Sequence, residues 1–185
     1  GVQGRLFAIG GFSLPGGGTR YGVGEIDPVT GAVLPWAPLF ENVGNYVDRT
    51  ALASDATRLY VGGRFATVDG TAHAGIVAFR LSDLSIEPAT FGPVTDVMEV
   101  AASDDRVFAL GNRVGWPQPS LFAFDRQTGA PLPWAPFEGF DWQMSPYAWS
   151  ALAVSNGELV VVNPLEMNGG PFPGRHPLFR TSLTA

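Results

Sequence analysis

One segment of the sequence concentrates side chains that could bind a ligand. Residues 137–149 hold five aromatic rings and two carboxylates. Trp142 and Tyr147 could stack on the apolar face of a sugar ring. Three polar side chains of the same segment could bond to sugar hydroxyls: Glu138, Asp141 and Gln143. The mixture predicts a carbohydrate-binding site, and the alternative interpretation is a loop that packs against itself.

Glu138 and Asp141 also suggest a second chemistry, because glycosidases use paired carboxylates. The two residues are three positions apart on one predicted loop, and most such pairs are only solvated. His73 and His176 are the two histidines of the chain. Neither has a partner at metal-ligand spacing, and no Gly-x-Ser-x-Gly motif seats a nucleophile. We therefore expect no catalytic residue, no metal site and no cofactor, and we expect both histidines on loop surfaces.

Composition and charge exclude several classes of partner. The formal charge is −6 and the pI is near 4.7, so the chain would repel a phosphate backbone and nucleic acid is not expected. No apolar run approaches the roughly 18 residues that span a bilayer, which predicts no membrane insertion. The chain has no cysteine and therefore no disulfide. All eleven basic residues are arginine, a bias typical of GC-rich bacterial genomes.

An internal repeat determines which elements must position these residues. The twelve residues from Asp27 to Pro38 recur from Asp125 to Pro136 with nine identities. Four related apolar runs begin at Arg5, Arg58, Arg106 and Glu158, about fifty residues apart. A fixed period of this length is typical of repeat architectures. The units span approximately residues 1–49, 50–97, 98–149 and 150–185 of one domain.

Each unit reads as four short antiparallel strands, because apolar and β-branched runs alternate with turn residues. In the second unit the strands are Ala51–Ser54, Leu59–Gly63, Gly75–Arg80 and Ser85–Ala89. Such units predict an all-β protein, a β-propeller with about four blades. The first and last blades are incomplete, and the propeller could be part of a larger one or pair its open edges with another chain. A two-sheet sandwich and a parallel β-helix are the alternative folds.

Propeller geometry predicts where a ligand would bind. Strand connections one-to-two and three-to-four lie on one face of a propeller, and in this sequence they are tight. Asn156-Gly157 is a strong hairpin signal, and Gly31 and Gly129 stand where a turn needs a positive φ. The long connections, including residues 136–149, therefore gather on the opposite face, which we expect to carry the binding site.

Trp36 and Trp134 occupy the same place in their two repeats. Each could provide an aromatic platform for a sugar. The shared position favours packing between neighbouring blades instead. Asp27 and Asp125 precede the turns, and we expect their carboxylates to accept hydrogen bonds from turn amides rather than to bind calcium.

The second unit resembles the delta-60 repeat of secreted bacterial propellers. The resemblance rests on the run from Leu59 to Gly70, with its Gly-Gly-x-Phe and Val-x-Gly elements, followed by Ile76–Phe79. The strings Glu25–Gly31 and Phe122–Gly129 are also similar to blades of quinoprotein-like propellers, in which the Trp after the Thr-Gly turn packs between blades. The last two units depart from Gly-Gly-x-Phe at Gly111-Asn112 and Asn163-Pro164.

The delta-60 resemblance implies an exported or cell-surface binding module. The leading functional hypothesis is therefore a non-catalytic binding or structural propeller module that recognises a glycan or another protein through its loop-rich face. The alternative is part of a propeller enzyme, a glycan hydrolase or lyase, with catalytic acids supplied from outside these residues. The chain begins at Gly1 without a Met or a signal-like segment, so we expect a piece trimmed from a longer precursor.

Overall fold

The fold was analysed in a computed structural model, which describes residues 4–41, 50–92, 94–113, 119–133, 151–162, 166–167, 174–175 and 178–182. Within these ranges the protein is all-β, with strands that form small antiparallel sheets and with no helix. The all-β prediction is therefore confirmed. Sixteen strands are defined within these ranges, and ten of them have five residues or fewer.

Four sheets follow one another along the chain. The first sheet pairs β1 (Leu6–Ser13) with β2 (Thr19–Ile26). The second contains β4 (Thr50–Ser54), β5 (Arg58–Gly63) and β8 (Ile76–Arg80). The third contains β9 (Val94–Ala102), β10 (Arg106–Arg113) and β11 (Pro119–Asp125). The fourth contains β12 (Ala151–Ser155), β13 (Glu158–Val162) and β16 (Leu178–Ser182).

Short strand pairs complete the described structure. β3 (Phe40–Glu41), β6 (Thr67–Val68) and β7 (Thr71–Ala72) form a small three-stranded sheet. β14 (Glu166–Met167) pairs with β15 (Gly174–Arg175). The long connection between β5 and β8 thus contains a hairpin of its own, formed by β6 and β7.

The tight turns have the predicted chemistry. The Asp27 carboxylate accepts hydrogen bonds from the amides of Val29 and Thr30, at 2.8 and 2.9 Å. Asp125 does the same for the amides two and three residues later. Gly31 and Gly129 have φ angles of 72° and 75°, which glycine adopts without steric cost. These hydrogen bonds also hold the pKa of both carboxyls below its usual range.

The predicted fourth strand is the main difference from the expected unit. In the second sheet Ile86 forms only an isolated bridge with Phe79, and the corresponding bridges elsewhere join Val33 to Ile26 and Pro131 to Phe124. Each bridge is followed by one more ladder bond, in the second sheet from the Glu87 amide to the Ala78 carbonyl. The next residue is proline in all three cases: Pro35, Pro88 and Pro133. In the first sheet a further bond follows the proline, from the Glu25 amide to the Trp36 carbonyl at 3.4 Å. Proline is tolerated in strands at edges and bulges, which fits a short fourth segment at the edge of each sheet.

The hydrophobic core consists of three layers, each between two consecutive sheets. The layer between the first and second sheets includes Val23, Leu59 and Phe79, and the layer between the second and third includes Tyr60, Val97 and Phe124. The layer between the third and fourth sheets includes Phe108 and Leu159. Because side chains alternate along β5, Leu59 faces the first sheet while Tyr60 faces the third. The second sheet is therefore buried on both faces.

The sheets stack closely, and their first strands are neighbours. β4 contacts β9, and β9 contacts β12. A Cβ added to Gly62 on β5 would lie 2.6 Å from Val97 Cγ1 on β9. Glycine at this position lets the second and third sheets approach where a larger side chain would separate them.

Candidate functional site

The residues predicted to bind a ligand lie outside the described residues. Trp142, Tyr147, Glu138, Asp141 and Gln143 all fall within residues 134–150, as does Trp134. Their predicted role stays a prediction. The described part of the chain instead shows the scaffold on which that segment is carried.

Tight turns meet at one end of the second sheet and at one end of the third. In the second sheet the Leu81 amide donates to the Thr57 carbonyl at 2.8 Å. In the third sheet the Arg126 amide donates to the Asp105 carbonyl at 3.0 Å. Each bond joins the turn after the first strand to the turn after the third strand. The longer connections of these two sheets therefore leave from the opposite end, as strand alternation predicted.

The connection at residues 64–75 shows how rigid that opposite end is. Asp69 and Gly70 have φ angles of 48° and 77°, as a tight two-residue hairpin requires. The Asp69 carboxylate and amide bond to the amide and carbonyl of Leu39, at 2.8 and 2.9 Å. Phe40 and Phe65 pack edge to face with centroids 5.0 Å apart. This connection is thus held by both its own hairpin and the segment that leaves the first sheet.

A hollow of about 440 Å³ lies beside this hairpin. Its walls come from residues 72–74, from the segment 90–92 that leads to the third sheet, and from the turn at residues 128–131. Two glycines pack against the chain between the second and third sheets. A Cβ on Gly129 would overlap the Thr90 carbonyl, and a Cβ on Gly75 would overlap the Val94 carbonyl. No wall residue is Asp, Glu, Lys or Arg, so the hollow suits an uncharged group.

His73 contributes the imidazole that borders this hollow. The expectation of a surface position for His73 is wrong, because the residue is only 5% exposed. The backbone explains the burial: the His73 amide donates to the Ala66 carbonyl and so ties the residue against the hairpin. Burial lowers the pKa of the imidazole. Its Nδ1 atom is buried without a partner among the described residues. His176 lies outside them.

Trp36 packs between two sheets. Its ring lies edge to face with Phe7 of the first sheet, at 5.7 Å between centroids, and with Phe79 of the second sheet, at 5.1 Å. The packing interpretation is therefore confirmed for Trp36. Because these two contacts cover it, Trp36 stabilises the stack and does not present a platform to a sugar.

Two arginines join consecutive sheets, and we call these contacts the inter-sheet clasps. Arg5 Nη1 donates to the Leu81 carbonyl in the turn of the second sheet, at 2.5 Å. Arg58 Nη1 donates to the Arg126 carbonyl in the turn of the third sheet, at 2.8 Å. Arg5 lies immediately before β1, and Arg58 is the first residue of β5. The two arginines therefore hold corresponding positions in the first and second sheets. Leu81 and Arg126 also correspond, each two residues after the last strand-paired phenylalanine.

Side-chain oxygens orient both guanidinium donors: Glu25 holds Arg5, and Gln127 Oε1 accepts from Arg58 Nη2 at 2.9 Å. Glu25 is 8% exposed and holds Arg5 in a two-pronged contact of 2.6 and 2.8 Å. Asp55 pairs with Arg126 at 3.1 Å and accepts the Tyr60 hydroxyl at 2.7 Å. Burial alone would raise the pKa of Asp55, but its hydrogen bonds outweigh burial and lower it. A planar guanidinium held at two oxygens has little freedom, which makes each clasp geometrically specific.

Glu99 is a carboxyl that sequence inspection did not single out. It lies on β9 opposite Leu110, at the position that alanine occupies on β4 and β12. Burial raises its pKa from 4.5 to about 7. The signal in the sequence is a carboxylate within a run of small apolar residues, Val97 to Ala102.

No group of three or more metal-ligating side chains occurs in the described ranges. Those ranges also contain no helix that is long and apolar enough to cross a membrane. No family model matches the chain, and no relative was found among curated proteins.

Proposed function

We propose that this chain is a binding module built as a β-propeller, which recognises a glycan or another protein through the end where its long connections meet. The observation that carries the proposal is the pairing of tight turns at one end of the second and third sheets. Long connections are thereby directed to a single opposite end. Segments carried by a rigid scaffold are where proteins most often place binding residues.

The propeller part of the proposal is supported by the stacking of the sheets. Each described core layer lies between consecutive sheets, and the first strands β4, β9 and β12 follow one another in contact. Sheets arranged side by side about one axis would share these features. A two-sheet sandwich would instead bury one face of each sheet, whereas the second sheet is buried on both.

The ligand part of the proposal rests on the chemistry of residues 137–149. Aromatic rings with hydroxyl-binding groups favour a glycan. The net charge of −6 favours an uncharged or cationic ligand over an anionic one. Export or display at a bacterial cell surface belongs to the same proposal and is supported by the delta-60 resemblance.

A glycan array tests the ligand. We expect the wild type to bind one class of neutral glycan and the Trp142→Ala, Tyr147→Ala double variant to lose that binding, because stacking on aromatic faces is removed. Val29→Ala is the control, since Val29 is 91% exposed in the tight turn of the first sheet. This control should bind as the wild type does.

Two results would contradict the proposal in different ways. If the wild type binds no glycan, the carbohydrate ligand is wrong and a protein ligand replaces it. If the double variant keeps full binding, residues 137–149 are not the site.

A further inference from the structure

Within the described ranges, the first sheet has no neighbour on the face where each of the other three sheets contacts the sheet before it. Leu6, Leu59, Val107 and Leu159 hold corresponding positions, one residue after the arginine or glutamate that begins each apolar run. Leu59, Val107 and Leu159 are 3%, 0% and 0% exposed because each faces the preceding sheet. Leu6 is 39% exposed.

The turn of the first sheet is open in the same way. Pro28 corresponds to Leu81 and Arg126, whose carbonyls accept the two inter-sheet clasps. Leu81 is 1% exposed, whereas Pro28 is exposed. Among the described residues no hydrogen bond to the Pro28 carbonyl is found. The open face, defined by Leu6 and the Pro28 carbonyl, thus has the acceptor of a clasp without its donor.

The fourth sheet cannot supply that donor. Its residue at the position of Arg5 and Arg58 is Glu158. Leu159 and Val161 face the third sheet, so Glu158 faces away from it, toward any next neighbour. A carboxylate accepts hydrogen bonds and would repel a carbonyl oxygen, where an arginine would donate to it. The same mismatch applies to the fourth sheet of a second copy.

We propose that the open face of the first sheet binds a further sheet unit that is not among these four and that carries an arginine at the position of Arg58. Charge complementarity supports the proposal, because both described clasps use an arginine, Arg5 or Arg58, whereas the fourth sheet carries Glu158 at that position. The proposal rests on the stacking of the sheets and not on the ligand proposed above. It predicts a propeller with more blades than this chain contains.

Restoring the arginine tests the proposal in the full 185-residue chain. We expect the wild type and Glu158→Gln to sediment as monomers. Glu158→Arg should associate head to tail with an affinity roughly tenfold higher than that of Glu158→Gln. The reason is that the new arginine donates a charged hydrogen bond to the Pro28 carbonyl of the next copy. Adding Leu6→Arg to that variant should abolish the association, since it places a charge on the open face. Thermal unfolding of each variant checks that it is folded.

A second measurement does not depend on that variant. The chain has no cysteine, so Leu6→Cys provides a single thiol on the open face. We expect rapid maleimide labelling of this monomer. The sedimentation experiment overturns the proposal if Glu158→Arg behaves as Glu158→Gln does, or if the wild type already associates through the Leu6 face. The labelling experiment overturns it if the Leu6→Cys thiol is protected in the monomer, because the fourth sheet would then close onto the first.

Discussion

At the scale of single residues, polar groups within the stack determine its electrostatics. Arg5 with Glu25, and Arg126 with Asp55, are opposite charges in contact. Glu99 differs, because burial without a compensating charge raises its pKa to about 7. The pKa of the Glu99 carboxyl therefore differs between the folded and unfolded states, and the difference falls in a pH range just below neutral.

Glu99→Gln should change how stability depends on pH. The folded-state pKa of Glu99, about 7, lies above its ordinary value of 4.5. The folded protein therefore prefers the protonated form, and this contribution is fully present below pH 4.5 and is lost as the pH rises through about 7. Relative to wild type, the glutamine variant should gain about 1 kcal/mol of unfolding free energy between these limits, after solvent screening of a half-exposed group. Urea unfolding at pH 4.5, 6 and 8 measures it, and a difference that is constant with pH would contradict the assignment.

At the scale of elements, turns and connections set the spacing between sheets. Gly31 and Gly129 occupy the same turn position with the same φ. A Cβ on Gly31 would meet nothing within 4 Å, whereas one on Gly129 would overlap the Thr90 carbonyl of the segment between the second and third sheets. The turns are alike within their own sheets and differ in what packs against them.

Two alanine variants separate these effects. Gly31→Ala should lower the free energy of unfolding by about 1 kcal/mol, the cost of a side chain at positive φ. Gly129→Ala should lower it by about 2–4 kcal/mol, because the overlap with Thr90 is added to the same backbone cost. Equilibrium denaturation of both variants gives the comparison. Equal losses would show that the turn at residues 125–129 does not pack against residue 90.

Much of this element-scale structure could be predicted from sequence. Asp27 and Asp125 in their turns, and the Asn156-Gly157 hairpin with φ angles of 53° and 73°, follow from local chemistry that a few residues decide. The shortened fourth strand was missed although Pro35, Pro88 and Pro133 each stand two residues after the single bridge of that segment. The burial of His73 could not be predicted, because residues distant in sequence, 90–92 and 128–131, come to lie around the same hollow as His73. The predicted binding residues at 138–147 lie outside the described ranges.

At the scale of the whole molecule, the four described sheets form a stack in which each sheet covers the next. Arginines at the start of the first and second units donate to a turn carbonyl of the following sheet, which gives the described stack a direction. The first sheet keeps an acceptor and an apolar face open, and the fourth sheet carries a carboxylate instead of a donor. The stack therefore has two different ends that do not match each other.

The most direct test of this stacking is a nuclear Overhauser experiment on the labelled chain. The Trp36 indole should show contacts to the Phe7 and Phe79 rings together, and the Gly62 α-protons should contact the Val97 methyls, because these groups meet across sheet interfaces. Trp36 contacts to Phe7 without Phe79, together with backbone contacts that join β2 and β8 as adjacent strands of one sheet, would contradict the account.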